Sequence, residues 1–317
     1  MLFRSQFTNE RNWSGDWNAV WDVKASRTPE AWTVEFSIPF KSLRYGPGTG
    51  QVWGFNAFRT NRWKNELSFL VPVPKERGQL GIQMASLAAP LSVVAPSGAK
   101  NLDLKPYVTS RASRAGTTGN SDARADFGMD AKYGITQNVT ADLTYNTDFA
   151  QVEADQQQIN LTRFSLFFPE KRDFFLENAG TFAFGGLSAS GSGAGDTPIM
   201  FYSRRIGLEQ GQAVPIDGGG RVTGRIGRYN IGLIDIDTSK ESSPNVPSTN
   251  FSVVRIKRDL FRRSSIGLLA TGRRESAAGA GTNAAYGLDG TFSFFANLNI
   301  NTYWARTEAF RTSKDRK

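Results

Sequence analysis

Beyond residue 100 the chain alternates between apolar and polar positions with a period of two. Arg124, Asp126, Gly128, Asp130 and Lys132 are polar or small, and Ala125, Phe127, Met129, Ala131 and Tyr133 fall between them. After a turn, Val139, Ala141, Leu143 and Tyr145 interleave with Thr140, Asp142, Thr144 and Asn146. Near the C-terminus Tyr286, Leu288, Phe292 and Phe294 alternate with Gly287, Asp289, Thr291 and Ser293. Leu298, Ile300, Thr302 and Trp304 then alternate with Asn299, Asn301, Tyr303 and Ala305. Successive side chains of a strand point to opposite faces, so each run predicts a strand with one apolar face and one face of Asp, Asn, Thr, Lys and Gly. Runs of about 9–11 residues with aromatics toward their ends have the length and belt of a strand crossing a membrane at a tilt. A soluble antiparallel sandwich alternates too. The charged or small polar face and the repeated hairpins favour the membrane. Short turns at 134–137, Gly227-Arg228 and Ala296-Asn297 contrast with long Gly/Ser-rich connections at 185–198, 238–249 and 275–282. That asymmetry fits the two sides of an outer-membrane barrel.

The first hundred residues read differently. Six of the seven Trp lie there: Trp13, Trp17, Trp21, Trp32, Trp53 and Trp63. Trp32, Val34, Phe36 and Ile38 share one face of a predicted strand, and further strands are expected over 52–58 and 67–73, with Pro39, Pro72 and Pro74 favouring sheet edges. Trp32 and Trp53 are expected in a core. The pattern is that of an antiparallel sandwich with too few strands to be a whole one. The Pro/Ser/Ala-rich run 88–99 reads as a linker. The expected division is a partial sandwich over 1–95, a linker over 96–101 and a partial transmembrane barrel over 102–317, all of it all-β.

Composition narrows the chemistry. The chain has no Cys and no His, which excludes disulfides, thiol nucleophiles, a Ser-His-Asp triad and His- or Cys-bound zinc. The formal charge is +9, yet Arg and Lys are spread along strands and turns instead of gathered in one stripe, so nucleic acid is not expected as a partner. No stretch approaches the roughly 18 apolar residues of a membrane helix, and residues 1–15 lack the apolar core of a signal peptide.

One segment, 146–184, breaks the hairpin rhythm and is dense in charge and phenylalanine. It is expected to fold in a barrel lumen or cap one end, with Asp148, Glu153, Asp155, Arg163, Glu170, Lys171, Arg172, Asp173 and Glu177 pairing among themselves or with carboxylates of the wall. Asp148, Glu153, Asp155, Glu170 and Glu177 are also the residues an acid/base reaction would use, and Asp148, Glu153 and Asp155 are of the type that binds Ca²⁺. Their spacing matches neither a catalytic signature nor a standard calcium loop. No catalytic residue, metal site or cofactor is therefore assigned, and an enzyme is not the favoured reading.

Several blocks carry a resemblance. Trp32-Thr-Val-Glu-Phe-Ser-Ile-Pro-Phe-Lys-Ser-Leu-Arg-Tyr and Val52-Trp-Gly-Phe-Asn-Ala-Phe-Arg-Thr-Asn-Arg resemble the C-terminal half of a family 9-like carbohydrate-binding module. Phe149-Ala-Gln-Val-Glu-Ala-Asp and Asn160-Leu-Thr-Arg-Phe-Ser-Leu-Phe-Phe-Pro-Glu-Lys-Arg resemble a bacterial barrel domain of unknown function (domain of unknown function 5916). Tyr202-Ser-Arg-Arg-Ile-Gly and Tyr303-Trp-Ala-Arg-Thr are similar to further blocks of that family. The resemblance implies an outer-membrane barrel joined to a sugar-binding sandwich, in a chain cut at both ends, with a signal peptide upstream and more strands downstream.

A sugar site stacks an aromatic face on the pyranose ring and satisfies the hydroxyls with Arg, Asn and carboxylates. Trp13, Trp17 and Trp63 sit in polar, turn-like contexts, and Arg59, Arg62 and Glu66 flank Trp63, which makes these six the candidate saccharide-binding residues. The expected partners are a saccharide and the lipid and lipopolysaccharide of an outer membrane. Polysaccharide capture or passage is the first functional reading. A carbohydrate-active hydrolase and a soluble two-domain binding protein are the alternatives.

Overall fold

The structure, a computed structural model, describes residues 6–8, 12–14, 21–43, 45–46, 48–96, 102–114, 121–136, 138–147, 170, 172–186, 198–209, 212–240, 247–261, 264–275, 282–294 and 298–310. The fold is all-β and divides into two units, Met1–Lys100 and Asn101–Lys317.

In the first unit the strands are β1 (Gln6–Thr8), β2 (Asn12–Ser14), β3 (Asp22–Arg27), β4 (Trp32–Ser37), β5 (Gly50–Phe55), β6 (Phe58–Asn61), β7 (Glu66–Phe69) and β8 (Ala89–Val94). They form antiparallel two-stranded ribbons, β1 with β2, β3 with β4, β5 with β8 and β6 with β7. Two expectations fail here. The run read as a linker contains β8, whose six residues pair with β5 from Gly50↔Val94 to Phe55↔Ala89. Its prolines did not prevent this, because a ribbon strand has an outer edge on which a missing N–H costs nothing. Trp32 is not core: it is 55% exposed. Its ribbon pairs β4 only with β3, and among the described residues no second sheet layer joins that ribbon. Trp53 is half-buried among Phe40 (ring centroids 6.0 Å) and Tyr45 (5.6 Å), the small aromatic cluster of this unit.

The second unit is built on one nine-stranded antiparallel sheet. Its strands are β9 (Leu102–Arg114), β10 (Ser121–Thr136), β11 (Val139–Thr147), β14 (Ile216–Ile226), β15 (Tyr229–Thr238), β16 (Thr249–Phe261), β17 (Ser264–Glu275), β18 (Thr282–Phe294) and β19 (Leu298–Phe310), paired in chain order; β12 (Leu208–Glu209) and β13 (Gln212–Ala213) are a small hairpin outside the sheet. The connections 137–138, 227–228, 262–263 and 295–297 at one end of the strands are short. Those at the other end (115–120, 148–215, 239–248 and 276–281) are longer. At the tight turn 227–228 Gly227 takes φ 59°, the left-handed conformation glycine adopts at little cost.

Cross-strand register makes the alternation continuous over the sheet. Ala131 pairs with Leu143, Val222 with Leu233, Leu233 with Val254, Ile256 with Leu268, Leu268 with Leu288 and Leu288 with Trp304. These positions form the open face, where Leu104, Phe127, Leu143, Leu233, Ile256, Leu268, Leu288 and Trp304 are all exposed. The opposite, covered face carries Arg221, Thr223, Arg255 and Asp289 among Ile234, Ile236, Val253 and Leu269, all buried. The contrast inverts a soluble sheet: Arg255 is 0% exposed and Leu288 is 55% exposed. Toward the long connections the open face turns polar, with Asp235, Asp237, Asn250 and Ser252 joined by hydrogen bonds of 2.6–3.0 Å. Among the described residues no helix is long and apolar enough to cross a membrane.

Candidate functional site

The covered face is occupied by the chain's own residues 170, 172–186 and 198–206. Phe175 lies in the short helix α1 (Asp173–Leu176), and Phe182 and Phe184 follow it; with Ile206 they bury against Ile216, Ile234, Ile236, Val253 and Leu269 of the sheet. Glycines on the sheet make room for the rings. A Cβ at Gly232 would stand 2.8 Å from the Phe182 ring, and one at Gly287 would stand 2.8 Å from the Phe184 ring. Such approaches leave no space for any other residue type without movement of the segment.

Three buried ion pairs lie in and under this segment. Asp142 and Arg221 are register partners on β11 and β14, and Arg221 donates from Nε (3.1 Å) and Nη2 (2.8 Å) to Asp142 Oδ2. Its Nη1 donates to the Glu177 carbonyl at 2.6 Å, tying the segment to the sheet. Arg255 and Asp289 pair through both guanidinium nitrogens at 2.5 and 2.8 Å, and Asp289 accepts the Gly185 amide at 3.2 Å. Within the segment Glu170 and Arg172 pair at 2.7 and 2.8 Å. Arg172 also donates to the carbonyls of Ile206 and Ser203, both at 2.7 Å, and the Ser203 hydroxyl donates to Glu170 at 2.7 Å. Phenylalanines cover the cations: the Arg172 guanidinium lies 4.2 Å from the Phe175 ring and that of Arg221 lies 5.2 Å from the Phe174 ring. Burying an ionised group is costly unless its charge is paired and hydrogen-bonded, and here the partners come from the segment as well as from the strands.

Burial alone would raise the Glu170 carboxyl. The hydrogen bonds and charge of Arg172, helped by the Ser203 hydroxyl, outweigh it and hold the group below the ordinary carboxylate range. Lys132 of β10 pairs with Glu177, and Asn178, in the left-handed conformation at φ 58°, donates to the buried Thr223 hydroxyl at 3.2 Å.

Of the network expected from sequence, Glu170, Arg172 and Glu177 are thus engaged as charge partners. Asp148, Glu153, Asp155, Arg163 and Lys171 lie outside the described residues, and so does the side chain of Asp173. The sheet's half of the network, Asp142, Arg221, Arg255, Asp289 and Lys132, was not named from the sequence. Their common signal is a charged side chain at a position whose parity places it away from the apolar face. Among the described residues no group of three carboxylates is arranged to hold a metal ion.

The six candidate sugar-binding residues divide. Trp17 lies outside the described residues. Trp13, on β2, pairs with Phe7 of β1, and its side chain is not described. Arg59, Arg62, Trp63 and Glu66 come together on the β6–β7 hairpin. The register Arg59↔Ser68 and Asn61↔Glu66 puts Arg59 and Glu66 on one face. Arg62 and Trp63 occupy the turn, where Trp63 is 93% exposed. Phe58 and Phe69 stack on the other face at 5.9 Å and stiffen the hairpin.

Residues 99–217 match the family model described as a domain of unknown function (DUF5916). No curated protein and no solved structure matches the chain. The matched region holds β9–β11, the phenylalanine-rich segment and the start of β14. It includes Asp142, Glu170, Arg172 and Glu177, while Arg221, Arg255 and Asp289 lie beyond it.

Proposed function

We propose that the second unit is a membrane-spanning β-wall of the outer-membrane type, with residues 170, 172–186 and 198–206 held as a plug on its lumen face. The observation that carries this is the inversion of the nine-stranded sheet: exposed Leu, Ile, Phe and Trp on the open face, buried Arg and Asp on the covered one. A continuous exposed apolar face of this extent is unfavourable in water and is what a lipid-facing wall requires. The connection lengths support the same reading, with short turns toward the periplasm and long loops outside. Partition settles the matter experimentally. The full chain expressed with a secretion signal should fractionate with outer membranes, resist extraction by carbonate and urea, and need detergent to stay monomeric. A monomer that stays soluble without detergent would overturn the proposal.

A second role is supported by the β6–β7 hairpin: binding of a saccharide at the cell envelope, with Trp63 stacking on the sugar ring and Arg59, Arg62 and Glu66 bonding its hydroxyls. Its specific observation is the near-complete exposure of a tryptophan beside two arginines and a carboxylate. Calorimetric titration with xylo- and gluco-oligosaccharides should show binding that Trp63→Ala abolishes. Release of reducing ends during that titration would favour the hydrolase alternative instead.

A further inference from the structure

The geometry points to a binding site for an anionic phospholipid headgroup at the short-turn rim of the open face, an inference that rests on the membrane-wall reading. There the apolar face ends in Tyr229 and Arg258, register partners on β15 and β16. Both are exposed, and the Arg258 guanidinium lies 5.4 Å from the centre of the Tyr229 ring. Arg228 occupies the adjoining turn. Its carbonyl accepts the amide of Asp259, the residue after Arg258, at 2.9 Å, so the two arginines stand side by side at the end of one strand pair.

Neither cation is neutralised: among the described residues no carboxylate pairs with Arg228 or Arg258. Asp259 points to the covered face, where Arg225 holds it at 2.9 Å. The opposite rim has another character. Asp217, Asp237, Asn250 and Arg274, with three hydroxyl-bearing residues, line a recess of about 300 Å³ there. Two adjacent arginines beside a tyrosine ring mark the short-turn rim, whereas Arg274 at the opposite rim stands among Asp217 and Asp237.

A tyrosine ring with an arginine over it suits the boundary of a bilayer, with the ring at the acyl–glycerol level and the guanidinium reaching the phosphate as a two-pronged donor. Two uncompensated charges select a headgroup with net negative charge over a zwitterionic one.

The test uses the full chain refolded into vesicles of equal parts phosphatidylcholine and phosphatidylglycerol. Flotation is followed, and the lipids retained on the detergent-released protein are identified by native mass spectrometry. Phosphatidylglycerol should be retained in preference. The preference should fall about fivefold for each arginine removed in R228Q and R258Q, while R274Q at the other rim leaves it unchanged. A chain that floats with no headgroup preference, or loses it equally in R274Q, overturns the headgroup site and leaves the membrane wall standing. A chain that does not float overturns both.

Discussion

Arg255 and Asp289 meet across a strand that lies between them. Arg255 is on β16, Asp289 on β18, and their paired guanidinium and carboxylate pass over Gly267 of β17. A Cβ at Gly267 would lie 2.7 Å from Arg255 Nη1 and 2.8 Å from Asp289 Oδ1. Asp289 also holds the Gly185 amide, so this single pair joins three features: two non-adjacent strands of the sheet and the segment that covers them.

Asp289→Asn keeps the shape and removes the charge, leaving Arg255 buried without its counter-ion. The expected loss is about 3–5 kcal/mol in a urea unfolding series in detergent micelles. An Arg255→Met/Asp289→Leu double variant should recover most of it, because two apolar groups leave no orphaned charge. Equal losses in the single and double variants would show that the pair does not act as a charge pair.

Gly267→Ala should cost about 1–3 kcal/mol by forcing the pair apart. Gly272→Ala on the same strand should be close to neutral, since a Cβ there meets nothing within 4 Å. Two equal losses would point to strand propensity in place of the contact.

Glu170 gives the covering segment a dependence on pH with a definite sign. Its folded carboxyl is held below its ordinary value of 4.5, so the folded state binds the proton less tightly than the unfolded state. The stabilisation is complete above that value and is lost as the pH falls through the depressed folded value. Between pH 8 and 5 the susceptibility of the covering segment to added protease should stay flat, then rise in acid. In Glu170→Gln it should be raised throughout and depend less on pH. A rise already at pH 6 would contradict this origin.

The two-faced sheet was legible in the sequence and the partnerships were not. Period-two alternation placed Leu143, Leu288 and Trp304 on one face and Asp142 and Asp289 on the other, because parity is local information. That Asp289 reaches Arg255 depends on the register of three strands and on a glycine between them, which no single run of residues encodes. The dense charge and phenylalanine of 146–184 marked a segment packed against something, and Glu170, Arg172 and Glu177 are engaged as that density suggests. The first unit was less legible. The prolines and serines of 88–99 hid β8, since ribbon strands tolerate residues that central strands do not. The alternation at Trp32 correctly gave its face and said nothing of what covers it.

On the hairpin, Trp63→Ala should remove saccharide binding, while Trp32→Ala should leave it within a factor of about two, as expected of a residue outside the contact. Loss of binding in both variants would indicate a collapsed unit, which the far-UV spectrum would reveal.

Contact of the open face with lipid can be read directly at one residue. Trp304 is the one tryptophan of the second unit, outward on β19 and paired with Leu288. In a chain whose other tryptophans are replaced by phenylalanine, refolded into vesicles, its fluorescence should be quenched by lipids brominated along their acyl chains and spared by aqueous iodide. Quenching by iodide with no effect of the brominated lipids would place the face in water and contradict the account.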